Sequence, residues 1–120
     1  MIEIPEKIRK EVDEKGGFEK IVSMVERKSN KRFVDFIKTI ADEKRLKIIY
    51  ALSVQRMCVC MLAELISCPY SKCSYHISKL KKEGIIKSKN IGNYIIYSLT
   101  GKGKKVLKFI EKIKEVKNEN

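Results

Sequence analysis

Residues 57–99 restrict the fold more than any other stretch, because the spacing of their apolar residues changes from helical to strand-like. Two short helical patterns occupy residues 61–67 and 71–83. Ser67-Cys68-Pro69 separates them, since the residue before a proline leaves the helical region. Ser71 is expected to cap the second helix. Two helices joined by so short a turn have the proportions of a helix-turn-helix.

The residues after Gly84 alternate as strands do. The β-prone runs 85–89 and 94–99 are joined by residues 90–93, in which Gly92 and Asn93 accept the positive φ of a hairpin turn. A hairpin directly after a helix-turn-helix supplies a wing beside its second helix. We therefore expect a mainly α fold with a small β-ribbon, an α+β winged helix-turn-helix.

The rest of the chain is predicted to be helical. Asp42 and Thr100 are expected N-caps of further helices, and residues 57–59 form a short edge strand. Whether a helix continues through the polar residues 26–32 stays open. At 120 residues the chain suits one compact domain. We expect a helical extension at 1–32, a winged helix-turn-helix domain at 33–116 and a frayed tail at 117–120.

The charge balance favours a polyanionic partner. The chain has 27 Lys and Arg against 15 Asp and Glu, a formal net charge of +12. Nucleic acid is the leading candidate, although charge alone does not distinguish it from an ordinary basic surface. No apolar run is long enough to span a bilayer and no signal-peptide core is present, so a cytoplasmic location without membrane contact is expected. The four cysteines would then be reduced thiols.

The outer face of the second helix is rich in Lys, Ser and Tyr and poor in carboxylates. Lys side chains contact phosphates or guanine edges, and Tyr offers both a hydroxyl and apolar area for a thymine methyl. The alternative is an ordinary solvated helix face, and for His76 a half-buried packing role. The residues expected to contact double-stranded DNA are Ser71, Lys72, Ser74, Tyr75, His76, Ser78, Lys79, Lys82, Lys87, Lys89, Asn93 and Tyr94.

Several elements, in the same order along residues 33–115, resemble the ArsR/SmtB family of winged-helix repressors. They are Ala41 to Ile49, Cys58-Val59-Cys60, Ser74-Tyr75-His76-Ile77 through Leu80 to Gly84-Ile85-Ile86, and Gly92 through Tyr97-Ser98-Leu99. The resemblance implies a homodimer that represses transcription from an inverted-repeat operator and leaves the DNA when an effector binds.

By the same resemblance, the first and last helices of the domain form the dimer interface. Their apolar stripes would be exposed on one small domain and buried in a pair, although each could instead cover the domain's own core. The residues expected in the interface are Phe33, Phe36, Ile37, Ile40, Val106, Phe109, Ile110 and Ile113.

Cys58 and Cys60 match the Cys-Val-Cys element that metal-sensing members carry before the recognition helix. Thiolates at a helix start suit soft metal ions. The chain departs from the pattern at Met61, where Asp is usual, and at Ala63, where arsenic sensors carry a further Cys. Two thiolates are too few for a closed zinc site, so a linear Cu(I) or Hg(II) site, a dithiol switch or no ligand at all remain as alternatives. No cofactor is required.

Cys68 and Cys73 are candidates for a different chemistry. A straight helix would place Cys68 about 12 Å along the axis from Cys60, too far for one ion to bridge. Cys73 shares the apolar face of its helix and is expected to be buried. The two thiols nevertheless flank the turn before the recognition helix, so a disulfide between them is a redox alternative.

The sequence thus predicts a sequence-specific DNA-binding repressor, with a thiophilic metal or metalloid ion as one candidate effector. The alternatives are a redox-sensing repressor and a winged-helix protein-interaction module that does not read DNA. An enzyme is not expected, because the sequence contains no Cys-His dyad, paired-carboxylate pocket or phosphate-binding glycine loop.

Overall fold

The computed structural model describes residues 3–119. The helices in that part of the chain are α1 (Glu6–Glu14), α2 (Phe18–Lys28), α3 (Lys31–Ile40), α4 (Glu43–Val54), α5 (Val59–Leu65), α6 (Tyr70–Lys82) and α7 (Gly101–Lys117). The strands are β1 (Met57–Cys58), β2 (Ile86–Ile91) and β3 (Tyr94–Leu99). The chain divides into two compact units between Asp35 and Phe36. The expected mainly α fold with a small sheet is confirmed.

The N-terminal unit contains α1 and α2, neither of which has a buried residue. The sequence left open whether a helix continues through residues 26–32. It does not, because α2 ends at Lys28 and α3 starts again at Lys31. Asn30 lies between them, and its side-chain oxygen accepts a hydrogen bond from the backbone N–H of Phe33 at 2.9 Å. This is the side-chain contact by which Asn begins a new helix.

The second unit has its core among α4, α5, α6 and the sheet. The largest fully buried side chains there are Ile48, Ile49, Leu62, Ile66, Leu80, Ile85, Ile86 and Cys73. Burying one such Ile or Leu contributes about 1.5–3 kcal/mol. On α6 the buried residues are Cys73, Ile77 and Leu80, so one face of that helix is fixed against the core. Its opposite face therefore points outward.

A tight reversal joins α5 to α6. The backbone N–H of Cys68 donates to the Ala63 carbonyl at 3.0 Å, and that of Ser67 donates to the Glu64 carbonyl at 3.2 Å. Ser67 has a φ of 53°, so the pair of bonds forms a Schellman motif with a serine where glycine is usual. The Lys44 ammonium donates to the Ile66 carbonyl and satisfies another group at the end of α5.

The expectation that Ser71 caps α6 is wrong. The N-cap is Pro69, in an extended conformation with no side-chain cap, and the helix begins at Tyr70. Ser71 is already the second helical residue, so its hydroxyl is displaced from the cap position. Proline fixes φ and has no backbone N–H, which makes it compatible with a helix start even without a capping side chain.

The sheet is antiparallel with strand order β1-β3-β2. Ile91 pairs with Tyr94, so the hairpin turn is only Gly92-Asn93. Gly92 has a φ of 60°, as the first turn residue of a type II′ hairpin requires. Asn93 does not have a positive φ, because this turn type needs it at the first position alone. The predicted edge strand is β1, in which Cys58 pairs with Ile96.

Helix α7 starts against the connection between α6 and β2. The Thr100 hydroxyl accepts from the Gly103 N–H at 2.9 Å, which confirms Thr100 as the N-cap. The same hydroxyl lies 2.6 Å from the Gly84 carbonyl, and the Thr100 N–H donates to the Ile85 carbonyl at 3.0 Å. The helix extends to Lys117, the first residue of the predicted frayed tail, and Asn120 lies outside the described residues.

Candidate nucleic-acid interface

The outer face of α6 presents hydroxyls and ammonium groups to solvent. Tyr75 is 55% exposed, and the Lys79 ammonium lies 5.5 Å from the centre of its ring. No carboxylate lies between Tyr70 and Lys82 to neutralise these charges. The candidate residues of this helix that are exposed are Ser71, Lys72, Ser74, Tyr75, Ser78, Lys79 and Lys82. Such a face can contact phosphates and base edges together.

His76 is the candidate on α6 that is not exposed. Its side chain is 12% exposed, and its Nδ1 lies 2.9 Å from the Arg45 guanidinium and 4.0 Å from an Asp42 carboxylate oxygen. Burial lowers the pKa of His76, and the positive charge of Arg45 adds to this effect against the opposing effect of Asp42. The ring is therefore neutral at pH 7 and accepts from Arg45 through Nδ1. This geometry favours the packing role over a phosphate contact.

Arg45 was not singled out in the sequence, yet it joins three elements. Its Nε donates to the Thr39 carbonyl at 2.6 Å, near the end of α3, while one of its terminal nitrogens donates to His76 on α6. Asp42 accepts from the Arg45 backbone N–H at 3.0 Å. Burial acts to raise the pKa of Asp42, but this hydrogen bond and the Arg45 charge outweigh it and hold the pKa below its usual value. The sequence signal was only the Asp42 cap with Arg45 three residues later.

The lysines of the wing lie on the face of the sheet that points away from α6. The Lys81 ammonium donates to the Ser88 hydroxyl at 2.8 Å, so the side chain of Ser88 faces α6. Side chains alternate along a strand, and Lys87 and Lys89 therefore point to the opposite face of the sheet. There they line a shallow groove of about 400 Å³ together with Arg56. Asn93 and Tyr94 are exposed at the turn, where the wing is free to reach a neighbouring molecule.

Cys58 and Cys60 are brought together at the start of α5. A hydrogen bond from the Cys60 thiol lowers the pKa of Cys58, and the Met61 backbone N–H adds to the effect. The same hydrogen bond raises the pKa of Cys60. Cys58 therefore loses its proton more readily than Cys60. Two thiols held close together at a helix start suit thiophilic ions. No group of three or more His, Cys, Asp or Glu suited to a metal ion occurs among residues 3–119.

The two other thiols have different surroundings. Cys73 is fully buried, and burial raises the pKa of its thiol, so the reactive thiolate is disfavoured there. Cys68 is half-buried and lines an open pocket of about 530 Å³ with Cys60 and Tyr70. The separation of about 12 Å expected between Cys60 and Cys68 assumed one straight helix. That assumption is wrong, because α5 ends at Leu65 and the chain then reverses at Ser67.

The residues expected in a dimer interface fall into two groups. Those with exposed side chains are Phe33 at 52%, Ile37 at 46%, Phe109 at 65% and Ile113 at 67%. Phe36, Ile40 and Ile110 are half-buried against the core, and Val106 is part of the core at 7% exposure. Val106 is thus buried within one chain and is not available to a partner's surface, which corrects its assignment. The exposed four remain candidates for contact with a second copy.

The positive charge is concentrated in one unit. Residues 36–120 contain 18 Lys and Arg against seven Asp and Glu, so 11 of the 12 net charges lie there. The residues before Phe36 are nearly balanced. In the part of the chain that the structure describes, no helix combines the length and apolar character needed to cross a membrane.

A helix-turn-helix followed by a hairpin beside its second helix defines a winged helix-turn-helix protein. The family of bacterial regulatory proteins called the arsR family matches residues 42–88. A cadmium resistance transcriptional regulatory protein, CadC, of Listeria innocua is 36% identical over 77 residues, which cover 63% of each chain. The arsenical resistance operon repressor of Bacillus subtilis is 35% identical over 70 residues, 58% of this chain and 67% of that one.

The fold has solved counterparts. A homodimeric winged helix-turn-helix DNA-binding domain from Mycobacterium bovis superposes with a TM-score of 0.63 over 69% of this chain and 78% of that one, at 18% identity. The chain belongs to the ArsR family. The part of this chain that aligns with the cadmium-resistance relatives covers less than two thirds of their length. The family consists of regulatory proteins, which agrees with the expectation that the chain is not an enzyme.

Proposed function

We propose that the protein is a cytoplasmic transcriptional repressor that binds an inverted-repeat operator as a homodimer. The observation that carries this proposal is the two-sided character of α6. Its apolar side is buried at Cys73, Ile77 and Leu80, which fixes the helix, while its lysines and Tyr75 project outward. A helix held in this way beside a wing suits insertion into the major groove.

The binding should depend strongly on salt. Each lysine that neutralises a phosphate releases a condensed counterion, and the slope of log affinity against log salt is about −0.9 per contact. Replacing Lys79 and Lys82 by Gln should therefore make the slope less steep by about two. Fluorescence anisotropy with DNA from upstream of the chain's own gene, measured over a salt series, gives this slope.

Matched variants separate specific contacts from net charge. Lys7→Gln with Lys20→Gln removes the same charge from α1 and α2 and should leave the slope unchanged. Tyr75→Ala should change the preference among sequences, since its ring is exposed where a thymine methyl can lie. An equal loss of affinity in the two double variants would contradict the assignment of α6. Failure of the native chain to bind any DNA would favour a protein-interaction module instead.

Dimerisation is supported by the exposed apolar residues of α7. Phe109 and Ile113 are 65% and 67% exposed and lie four residues apart, on one face of the helix. Replacing Ile113 by Glu puts a charge in the proposed interface without touching the core. Light scattering should then report a monomer, and operator affinity should fall because a monomer contacts one half-site. A dimer that persists in this variant would place the interface elsewhere.

For the effector we propose a thiophilic ion bound by Cys58 and Cys60. The support is the hydrogen bond that brings the two sulfurs together and the lowered pKa of Cys58; the proton that Cys60 retains is released when the ion binds. Hg(II), which takes two ligands in line, is a suitable probe. It should release DNA from the native chain and from Cys68→Ser, but not from the Cys58→Ser, Cys60→Ser variant. Release by Hg(II) that instead required Cys68 and Cys73 would contradict this assignment. Release by a thiol oxidant in the absence of metal, if it required Cys68 and Cys73, would favour the redox alternative.

A further inference from the structure

A second charged surface lies away from α6. An open groove of about 920 Å³ runs between the end of α4, the end of β3 and the side of α7. Val54 and Leu107 contribute its exposed apolar part, and the buried Leu52 and Leu99 also line it. Arg56 approaches from the connection before β1, and three lysines of α7 line the groove, Lys104, Lys108 and Lys112. Cavities that hold small molecules have this size and this combination of apolar lining with a few charged groups.

The charges around the groove are not neutralised within the chain. Among residues 3–119, neither Arg56 nor any of the three lysines has a carboxylate within ion-pair distance. Lysines four residues apart on a helix repel one another. Glu111 also lines the groove, but its carboxylate accepts from the Tyr50 hydroxyl at 2.6 Å and lies 4.0 Å from the Lys114 ammonium. Glu115 is the other carboxylate of the lining. An anion in the groove would relieve the repulsion.

The groove is separate from the outer face of α6 and from the exposed apolar residues of α7, and it adjoins the groove of Lys87 and Lys89 at Arg56 and Ser98. At 100° per residue, Lys104 and Lys108 lie about 100–180° around α7 from Phe109 and Ile113, so a second copy on that stripe leaves these two lysines open. Ser98 in the groove is four residues from Tyr94 at the wing turn, or about 13 Å along the strand. A duplex that contacts only the wing turn would therefore leave the groove open.

We propose that this groove binds a small organic anion, a molecule with an apolar body and a carboxylate or phosphate group. Val54 and Leu107 would contact the apolar body, and Arg56 with the lysines would hold the anionic group. A guanidinium opposite a row of ammonium groups suits both carboxylate and phosphate. The inference does not depend on DNA binding.

The test uses 8-anilinonaphthalene-1-sulfonate, an apolar anionic dye, with the full chain at low salt. The groove variant combines Arg56→Gln, Lys104→Gln and Lys108→Gln, all at exposed positions. The control variant combines Lys72→Gln, Lys79→Gln and Lys82→Gln on the exposed face of α6 and has the same net charge. We expect the dye to bind about tenfold more weakly to the groove variant and unchanged to the control. The uncharged dye N-phenyl-1-naphthylamine should bind all three proteins alike.

Two further measurements locate the site and identify the anion. The methyl resonances of Leu52, Leu99 and Leu107 should shift when the dye is added, and octanoate or octyl phosphate should displace it. Which of the two displaces it more strongly distinguishes a carboxylate from a phosphate ligand. The proposal would be overturned if the dye bound both variants equally weakly, or bound both as tightly as the native chain. It would also be overturned if the dye shifted only the resonances of other residues. Operator binding of the groove variant, measured in parallel, reports separately on the proposed function.

Discussion

Replacing Gly103 by alanine should destabilise the fold, although alanine is the better helix former. A Cβ at this position would lie 2.1 Å from the Ile85 carbonyl oxygen and 3.2 Å from a Leu99 methyl. That carbonyl accepts the Thr100 N–H at 3.0 Å, so it cannot move away without losing a hydrogen bond. Overpacking costs about 1–3 kcal/mol, the lost bond about 1 kcal/mol, and the gain in helix propensity returns about 1 kcal/mol.

The net expectation for Gly103→Ala is a loss of about 2 kcal/mol in the free energy of unfolding, measured by urea denaturation. Gly101→Ala is the matched control on the same helix, because a Cβ there meets nothing within 4 Å. It should be neutral or stabilising by up to about 1 kcal/mol. If both variants had the same stability as the native chain, the close approach of α7 to Ile85 would be refuted.

Two other predictions concern local conformation and pH. Ser67→Gly should raise the free energy of unfolding by about 0.5–1 kcal/mol, since glycine adopts the left-handed φ of 53° without the Cβ penalty, and Ser67→Val should lower it in the same urea assay. The folded pKa of His76 lies below its ordinary value, so the unfolded chain binds the proton more tightly. Stability should therefore be full above about pH 6.5, fall as the pH drops toward the folded pKa and level off below it. His76→Gln, which can still accept from Arg45, should flatten that decline, and an unchanged decline would contradict the assignment.

The elements with local signals could be predicted from the sequence. Asp42 and Thr100 each carry a side chain that caps the helix behind it, and both caps form as expected. The change of periodicity after Gly84 likewise predicted the hairpin. Such features depend on residues within a few positions of one another. The prediction of the α6 N-cap failed because Pro69 and Ser71 both suit a helix start and lie two residues apart. The preference of serine for the N-cap does not decide between them.

The tertiary contacts could not be predicted in this way. Arg45 and His76 are 31 residues apart, and nothing local to either indicates the other. The placement of Lys87 and Lys89 away from α6 depends on the register of β2 against β3, since a shift of one residue would turn both side chains over. Val106 belongs to the same apolar stripe as Ile113, and only the packing of α7 on Leu99 and Ile85 decides which of them is buried.

Helix α6, the wing and α7 meet at Gly84-Ile85. The Ile85 N–H donates to the Leu80 carbonyl at the end of α6, and the Ile85 carbonyl accepts from Thr100 at the start of α7, each at 3.0 Å. Ile86 begins β2 directly afterwards. A rotation of α7 therefore acts on α6 and on the wing together. If α7 also forms the dimer interface, the pairing of α7 with its copy sets the distance between the two copies of α6. Gly103→Ala should therefore weaken operator binding even in buffers where the variant is fully folded.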